Sequence, residues 1–154
     1  MMNSKQLLSR RLTNKWLVLA LVALSFTSFL VSAYLTVEHF LGGVPTCTIL
    51  EGCEEVAKSK YSQVGPIPIS LFGVFYFLLL LALLVFYLDR EHEMALKIFT
   101  IFTIPGFLIS LVLLWLQFWV IGAVCIYCLI VDISSVLIFF ASIYLYIFVL
   151  RKKS

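Results

Sequence analysis

At 154 residues, with 63% of them hydrophobic, only 12% charged and a formal net charge of +3, the chain has too little polar surface to coat a soluble core. A mean hydropathy of +1.12 assigns it to a lipid bilayer. The small positive excess forms no basic stripe, so no nucleic-acid partner is expected.

A hydrocarbon core of about 30 Å takes about 20 residues of helix. Apolar runs of that length predict four spans, at about 16–40, 67–88, 96–119 and 124–149. The first opens at Trp16 and contains Val31-Ser32-Ala33, which resembles a signal-peptide cleavage site. Its apolar stretch continues through Phe40, longer than an h-region, so it is read as an uncleaved helix. Gly42-Gly43 and Pro45 break that helix. A polar loop of about 42–66 follows, in which Cys53-Glu-Glu-Val-Ala-Lys-Ser can make about two turns of helix. Glu54 and Glu55 oppose the helix dipole there, so no strongly lowered thiol pKa is expected at Cys53. Pro66 and Pro68 flank the entry to the second span, where a missing amide donor costs little, and the polar cluster 89–93 reads as a short loop. From Ile98 to Val149 the only charged residue is Asp132. About 50 residues would make a helix of about 75 Å, so the segment must fold back once, and Gly122 marks the turn. The expected fold is an all-α integral membrane protein, a four-transmembrane-helix bundle with an outer loop carrying a short helix, in one domain over 1–154.

Basic residues orient the bundle. Lys5, Arg10, Arg11 and Lys15 precede the first span, Arg90 and Lys97 flank the polar cluster, and Arg151, Lys152 and Lys153 follow the last span, which puts nine of the eleven on one face. The positive-inside rule makes that face cytoplasmic, with both termini, and puts the 42–66 loop and the turn at Gly122 outside. A prokaryotic plasma membrane is the expected location.

All four cysteines then meet at the outer face, where disulfides form and persist. Cys47 and Cys53 lie in the loop, and Cys125-Ile-Tyr-Cys128 heads the last span. A thiol pair two residues apart suits redox chemistry, because its disulfide closes a short ring and a neighbour that stabilises one thiolate makes that sulfur the attacker. Two such pairs permit a relay. The loop pair alone reads equally well as a structural staple. Cys125 and Cys128 are three apart, hence on one face of the last helix near its outer end, and Asp132 follows four residues later on about the same face; its cost in a bilayer turns it toward the bundle interior or keeps it protonated. A hydrogen bond to a neighbouring helix and a proton-transfer role both account for it. Other classes are a four-cysteine zinc site, which the spacing fits less well, and a small transport or scaffold protein, for which Asp132, Gln117 and scattered serines and threonines offer few polar groups. No metal is expected.

The order Cys47, Cys53, Ser59, then Gly65-Pro66-Ile67-Pro68-Ile69-Ser70 with Phe72-Gly73 and Tyr76, then Cys125-Ile-Tyr-Cys128, resembles the vitamin K epoxide reductase family over nearly the whole chain. The resemblance implies a four-helix bundle around a quinone, menaquinone or ubiquinone. It makes Cys125 and Cys128 the active-site pair and Cys47 and Cys53 a shuttle pair that exchanges electrons with a thioredoxin-like or DsbA-like protein on the outer face. It further implies that Cys47 forms the mixed disulfide with that partner, that Cys53 exchanges with Cys125, and that Cys128 lies nearest the quinone. By the same resemblance Ser59 orders the loop helix and Phe72 lines the quinone site, with Asp132 beside it. Net flow would run into the quinone pool and form disulfides in exported proteins. Vertebrate members carry asparagine and tyrosine where this chain has Ile69 and Asp132, so vitamin K epoxide is not carried over as a substrate. Many prokaryotic members have a fused thioredoxin-like domain; with only five residues after Val149, the partner here is expected to be a separate protein. In DsbB-type oxidases the order of the two pairs is reversed.

Overall fold

Within hydrocarbon every backbone N–H and C=O must be satisfied by its own segment, so apolar runs become helices. A computed structural model describes residues 4–43, 52–90 and 93–153, with side chains over 15–43, 52–90 and 94–149. Cys47 lies outside the described residues. In chain order come α1 (Ser4–Phe40), a short α2 (Cys53–Lys58), strands β1 (Gln63–Val64) and β2 (Ile67–Pro68), then α3 (Ile69–Arg90) and α4 (Glu93–Trp115). A π-helical segment, Leu116–Ile121, extends α4, and α5 (Ile126–Lys153) closes the bundle. Among the described residues four stretches are long and apolar enough to cross a membrane: Lys15–Phe40, Ile69–Arg90, Met94–Ile121 and Ile126–Val149. The chain is a multi-pass, all-α membrane bundle.

Several span boundaries differ from the sequence reading by one or two residues, and three of them have a visible cause. The second span starts at Ile69, because Ile67 and Pro68 pair antiparallel with Val64 and Gln63 in a two-residue hairpin. Such a short ladder leaves no hydrophobic periodicity to read. At the other end of α3 the helix runs through Arg90, whose Nε lies 3.2 Å from Asp89 Oδ2 and whose charge suits a helix C-terminus. α4 begins at Glu93, so Asp89, Arg90 and Glu93 of the expected 89–93 loop are helical, while 91–92 lie outside the described residues. The third span runs two residues past the expected 119, because the π-helical segment carries it to Ile121. Gly122 is the turn, as expected. Its φ of 68° is left-handed, a region in which a side chain is strained and glycine is not.

α3 packs on α1 and α4, and α5 packs on α4 and α1, which closes a ring of four helices. One half of that ring is solid. Val18 and Leu21 of α1, Phe77, Leu80 and Leu84 of α3, Leu96 and Phe99 of α4, and Ile138 and Leu145 of α5 form one buried cluster. Lipid is as apolar as these side chains, so close packing and interhelical hydrogen bonds hold the helices together. Thr36 Oγ1 donates to Ser70 Oγ at 3.0 Å between α1 and α3, and Thr103 and Ser142 share a bond of 3.1 Å between α4 and α5. The opposite half, toward α2 and the Gly122 turn, is hollow.

Leu80 is wholly buried, whereas Leu78, two residues earlier on the same helix, is 49% exposed. Leu80→Ala should lower unfolding stability by about 2–5 kcal/mol through the cavity it leaves, and Leu78→Ala by less than about 1 kcal/mol. Thermal or denaturant unfolding in detergent measures both, and equal losses would contradict the packing described.

Candidate functional site

The polypeptide enters α5 through a cysteine. Cys125 stands just before the helix, and its carbonyl accepts the N–H of Leu129 at 2.9 Å, the first bond of the helical ladder. Its Sγ accepts the N–H of Cys128 at 3.4 Å. A side-chain acceptor on that amide is what an N-cap residue supplies, here with sulfur as the acceptor. Cys125 is thus the cap of the helix rather than a member of its face, a shift of one position from the sequence reading. Both cysteines are free thiols, Cys125 buried and Cys128 partly so. A hydrogen bond from the Cys128 side chain, opposed by burial and helped by the N–H groups of Cys128 and Tyr127, lowers the Cys125 thiol to about 7. The positive end of the helix dipole acts in the same direction. Between the cysteines, Tyr127 packs its ring against Tyr34 of α1 at 5.3 Å and 52°, which pins the Cys-x-x-Cys turn to the bundle wall.

Cys53 opens α2 and is disulfide-bonded, so it does not titrate. It is buried in one small cluster with Val56, Ala123 and Cys125. The approach of α2 to the Cys125 segment depends on Gly52. A Cβ at that position would stand 2.6 Å from Val124 N and 2.8 Å from Val124 O, both backbone atoms that cannot turn aside. Ser59 ends α2, its Oγ and its N–H both directed at the Val56 carbonyl, at 2.8 Å and 3.2 Å. That double bond occupies one of the helix's unpaired carbonyls.

A cavity of about 530 Å³ fills the hollow half of the bundle, with Cys125, Cys128, Asp132, Ser59 and Phe72 among the residues on its wall. Phe72 stands at the rim, 54% exposed, while Asp132 is only 2% exposed. Cys53 is packed behind Cys125 and is not part of the wall. Asp132 faces the interior, as its cost in hydrocarbon requires, and its Oδ2 accepts from Gln117 Nε2 at 3.2 Å. Among the described residues no group of three or more His, Cys, Asp or Glu is placed to hold a metal ion.

Two residues of this site escaped the sequence reading. Gln117 was counted only as an isolated polar group, although a glutamine within an apolar span needs a partner and so announces one. Gly52 carried no signal beyond its place next to Cys53.

The profile of the vitamin K epoxide reductase family matches residues 19–143. No curated protein matches the chain significantly. The matched region takes in the Cys125–Cys128 pair, Cys53, the cavity and the four spans except the start of the first and the end of the fourth. The chain belongs to the vitamin K epoxide reductase family and is a membrane oxidoreductase of that family.

Proposed function

We propose that the chain carries electrons from a thioredoxin-like protein to a lipid quinone, and so drives disulfide formation in exported proteins. The observation that carries this reading is the burial of a disulfide-bonded Cys53 against a free Cys125 on the wall of a membrane-level cavity. The cavity falls within the usual range for small-molecule sites, roughly 300–1,000 Å³. Its wall combines aromatic and aliphatic side chains such as Phe72, Phe77 and Val131 with the two thiols, several serines, Gln117 and Asp132, so a flat ring would meet apolar contact on its faces and polar groups at its edge.

In the reading proposed, Cys47 and Cys53 form the loop pair. The partner's thiolate attacks Cys47, and the partner leaves oxidised while the loop pair gains two electrons. Cys53 then attacks Cys125 of an oxidised Cys125–Cys128 pair and releases Cys128. Cys47 attacks Cys53 in turn and expels Cys125, whose lowered pKa makes it the better leaving group. The quinone supplies the two-electron, two-proton sink. As electrons leave Cys128, Cys125 in its thiolate form closes the disulfide and the cycle returns. The whole chain acts as one domain in this scheme, with the α2 end of the bundle on the outer side of a prokaryotic plasma membrane. Ser59 serves by holding the end of α2. Asp132 and Phe72 border the ring, and in this reading the carboxyl of Asp132 takes part in proton transfer.

Three outcomes test this reading. With purified protein in detergent, Cys128→Ala should abolish quinone reduction by any donor. Cys47→Ala should abolish it with a reduced thioredoxin-like protein and spare it with a small dithiol; turnover unaffected by either change would end the enzyme reading. Gly52→Ala should push α2 off the Val124 backbone and cut transfer from the protein donor by about 10- to 100-fold, the scale of a misplacement of about 1 Å, again sparing the small dithiol. The lowered pKa sets the pH dependence of the reduced enzyme. Deprotonation is favoured, so alkylation of Cys125 by iodoacetamide should rise with pH through about 7 and level off above it, where an unperturbed thiol would still be climbing toward about 8.5. Peptide mass spectrometry across that range reads the midpoint.

A further inference from the structure

The backbone of Cys125 has three polar attachments, and one of them comes from outside its helix. Its carbonyl and its sulfur serve α5, whereas its N–H donates to Gln117 Oε1 at 3.2 Å. The same side chain donates from Nε2 to Asp132 Oδ2 at 3.2 Å. One amide therefore spans two groups seven residues apart in sequence, the first preceding α5 and the second two turns within it. Only one orientation of the amide works, because the N–H of Cys125 needs an oxygen and the carboxyl needs a donor when it is ionised. Gln117 is 3% exposed, so each of these bonds stands in place of one to water.

The position of Gln117 has its own cause. α4 runs regularly to Trp115, and the next six residues are π-helical. A π turn carries an extra residue, which rotates the side chains that follow relative to a regular helix. Gln117 lies in this turn and faces inward, while its neighbours Phe118 and Trp119 are 56% and 80% exposed.

We propose that Gln117 is a positioning residue of the thiol–disulfide site: its amide ties the backbone N–H of Cys125 to the carboxyl of Asp132 and so holds the Cys125 sulfur on the N-terminus of α5. This rests on the reading of Cys125 and Cys128 as the redox pair. Without the clamp Cys125 can rotate about its backbone, its sulfur leaves the Cys128 side chain and the N–H groups of α5, and the thiolate loses the donors that favour it. The other titratable groups facing this space are His39 of α1, Lys58 and Tyr61 near α2, Tyr76 of α3, and Cys128 and Asp132 of α5. A substitution at Gln117 leaves all of them in place.

The test uses the full chain, reduced, in detergent, and compares wild type with Gln117→Met and Gln117→Asn. Methionine keeps the length and loses both polar contacts; asparagine keeps the amide and is one methylene too short to reach both partners. In either variant that keeps a cooperative thermal transition, the midpoint for alkylation of Cys125 should rise by about one unit. At a pH below both midpoints this is a tenfold fall in thiolate. A merely structural glutamine would change the melting temperature and leave the midpoint where it was, and that result would overturn the proposal. Wild type gives an independent reading: the Cys125 amide lies outside the helical ladder and should exchange its hydrogen slowly because Gln117 holds it, so fast exchange would also overturn it. Failure of wild type to reduce quinone would sink the proposed function and leave the alkylation midpoints intact, so the two failures are distinguishable.

Discussion

A helix that starts at the edge of a bilayer has N–H groups without intrahelical partners, and there is little water to receive them. In α5 the sulfur of Cys125 accepts one of these, that of Cys128. Much of the site follows from this contact. It holds the Cys125 sulfur at the positive end of the helix, where the hydrogen bond from the Cys128 side chain, helped by the backbone N–H groups, makes that sulfur the acidic member of the pair. It also ties chemistry to fold in the reading proposed, since the group that caps the helix is there the group that reacts. When Cys125 is drawn into a disulfide its thiolate charge is lost and its interaction with the helix N-terminus weakens, so each redox step alters the local stability of the first turn.

The bundle divides its labour along its length. Close packing from Val18 through Leu145 makes one half rigid. In the other half the small residues Ser32, Gly73, Gly106 and Ser135 line the wall; Gly73 admits Ser32 of α1 and Gly106 admits the Tyr76 hydroxyl, while the space beside them stays open. An empty volume forfeits dispersion contacts that lipid-embedded helices depend on. The solid half and the interhelical hydroxyl bonds offset that loss, and the α2 cluster closes the hollow end over Cys125.

What could be read from the sequence was what repeats or what costs. Four apolar runs each satisfy a length requirement of the bilayer, so the spans were legible to within a few residues. Asp132 was legible as an inward-facing group because the alternative is expensive. The Cys-x-x-Cys spacing pointed to the last helix, but not to the one-position difference between capping a helix and lying on its face, since both keep the two sulfurs close. The hairpin and the π turn were illegible for another reason. A two-residue ladder has no period, and the π turn sits in Leu116–Ile121, whose composition is that of any apolar helix. Gln117 was the only sign of it, and its meaning depends on a partner eight residues downstream around a turn. Gly52 depends on how closely two backbones pass, which no local pattern encodes.

The place of Asp132 also bears on what the cavity can hold. In vertebrate members, to which this chain is related by family, the resemblance puts a tyrosine at this place and an asparagine at that of Ile69. A tyrosine reaches farther than an aspartate, and its hydroxyl can point at a ligand across the cavity. Asp132 is shorter and is tied back toward α4 by Gln117, while Ile69 offers neither donor nor acceptor. A ligand seated against this wall meets an apolar surface where those relatives offer an amide, and a carboxyl already engaged by protein where they offer a phenol. Recognition that depends on a second strong donor is weakened by such an exchange. A planar ring held mainly by apolar contact, as in the reading proposed, would lose much less from that exchange than a ligand that depends on two strong donors.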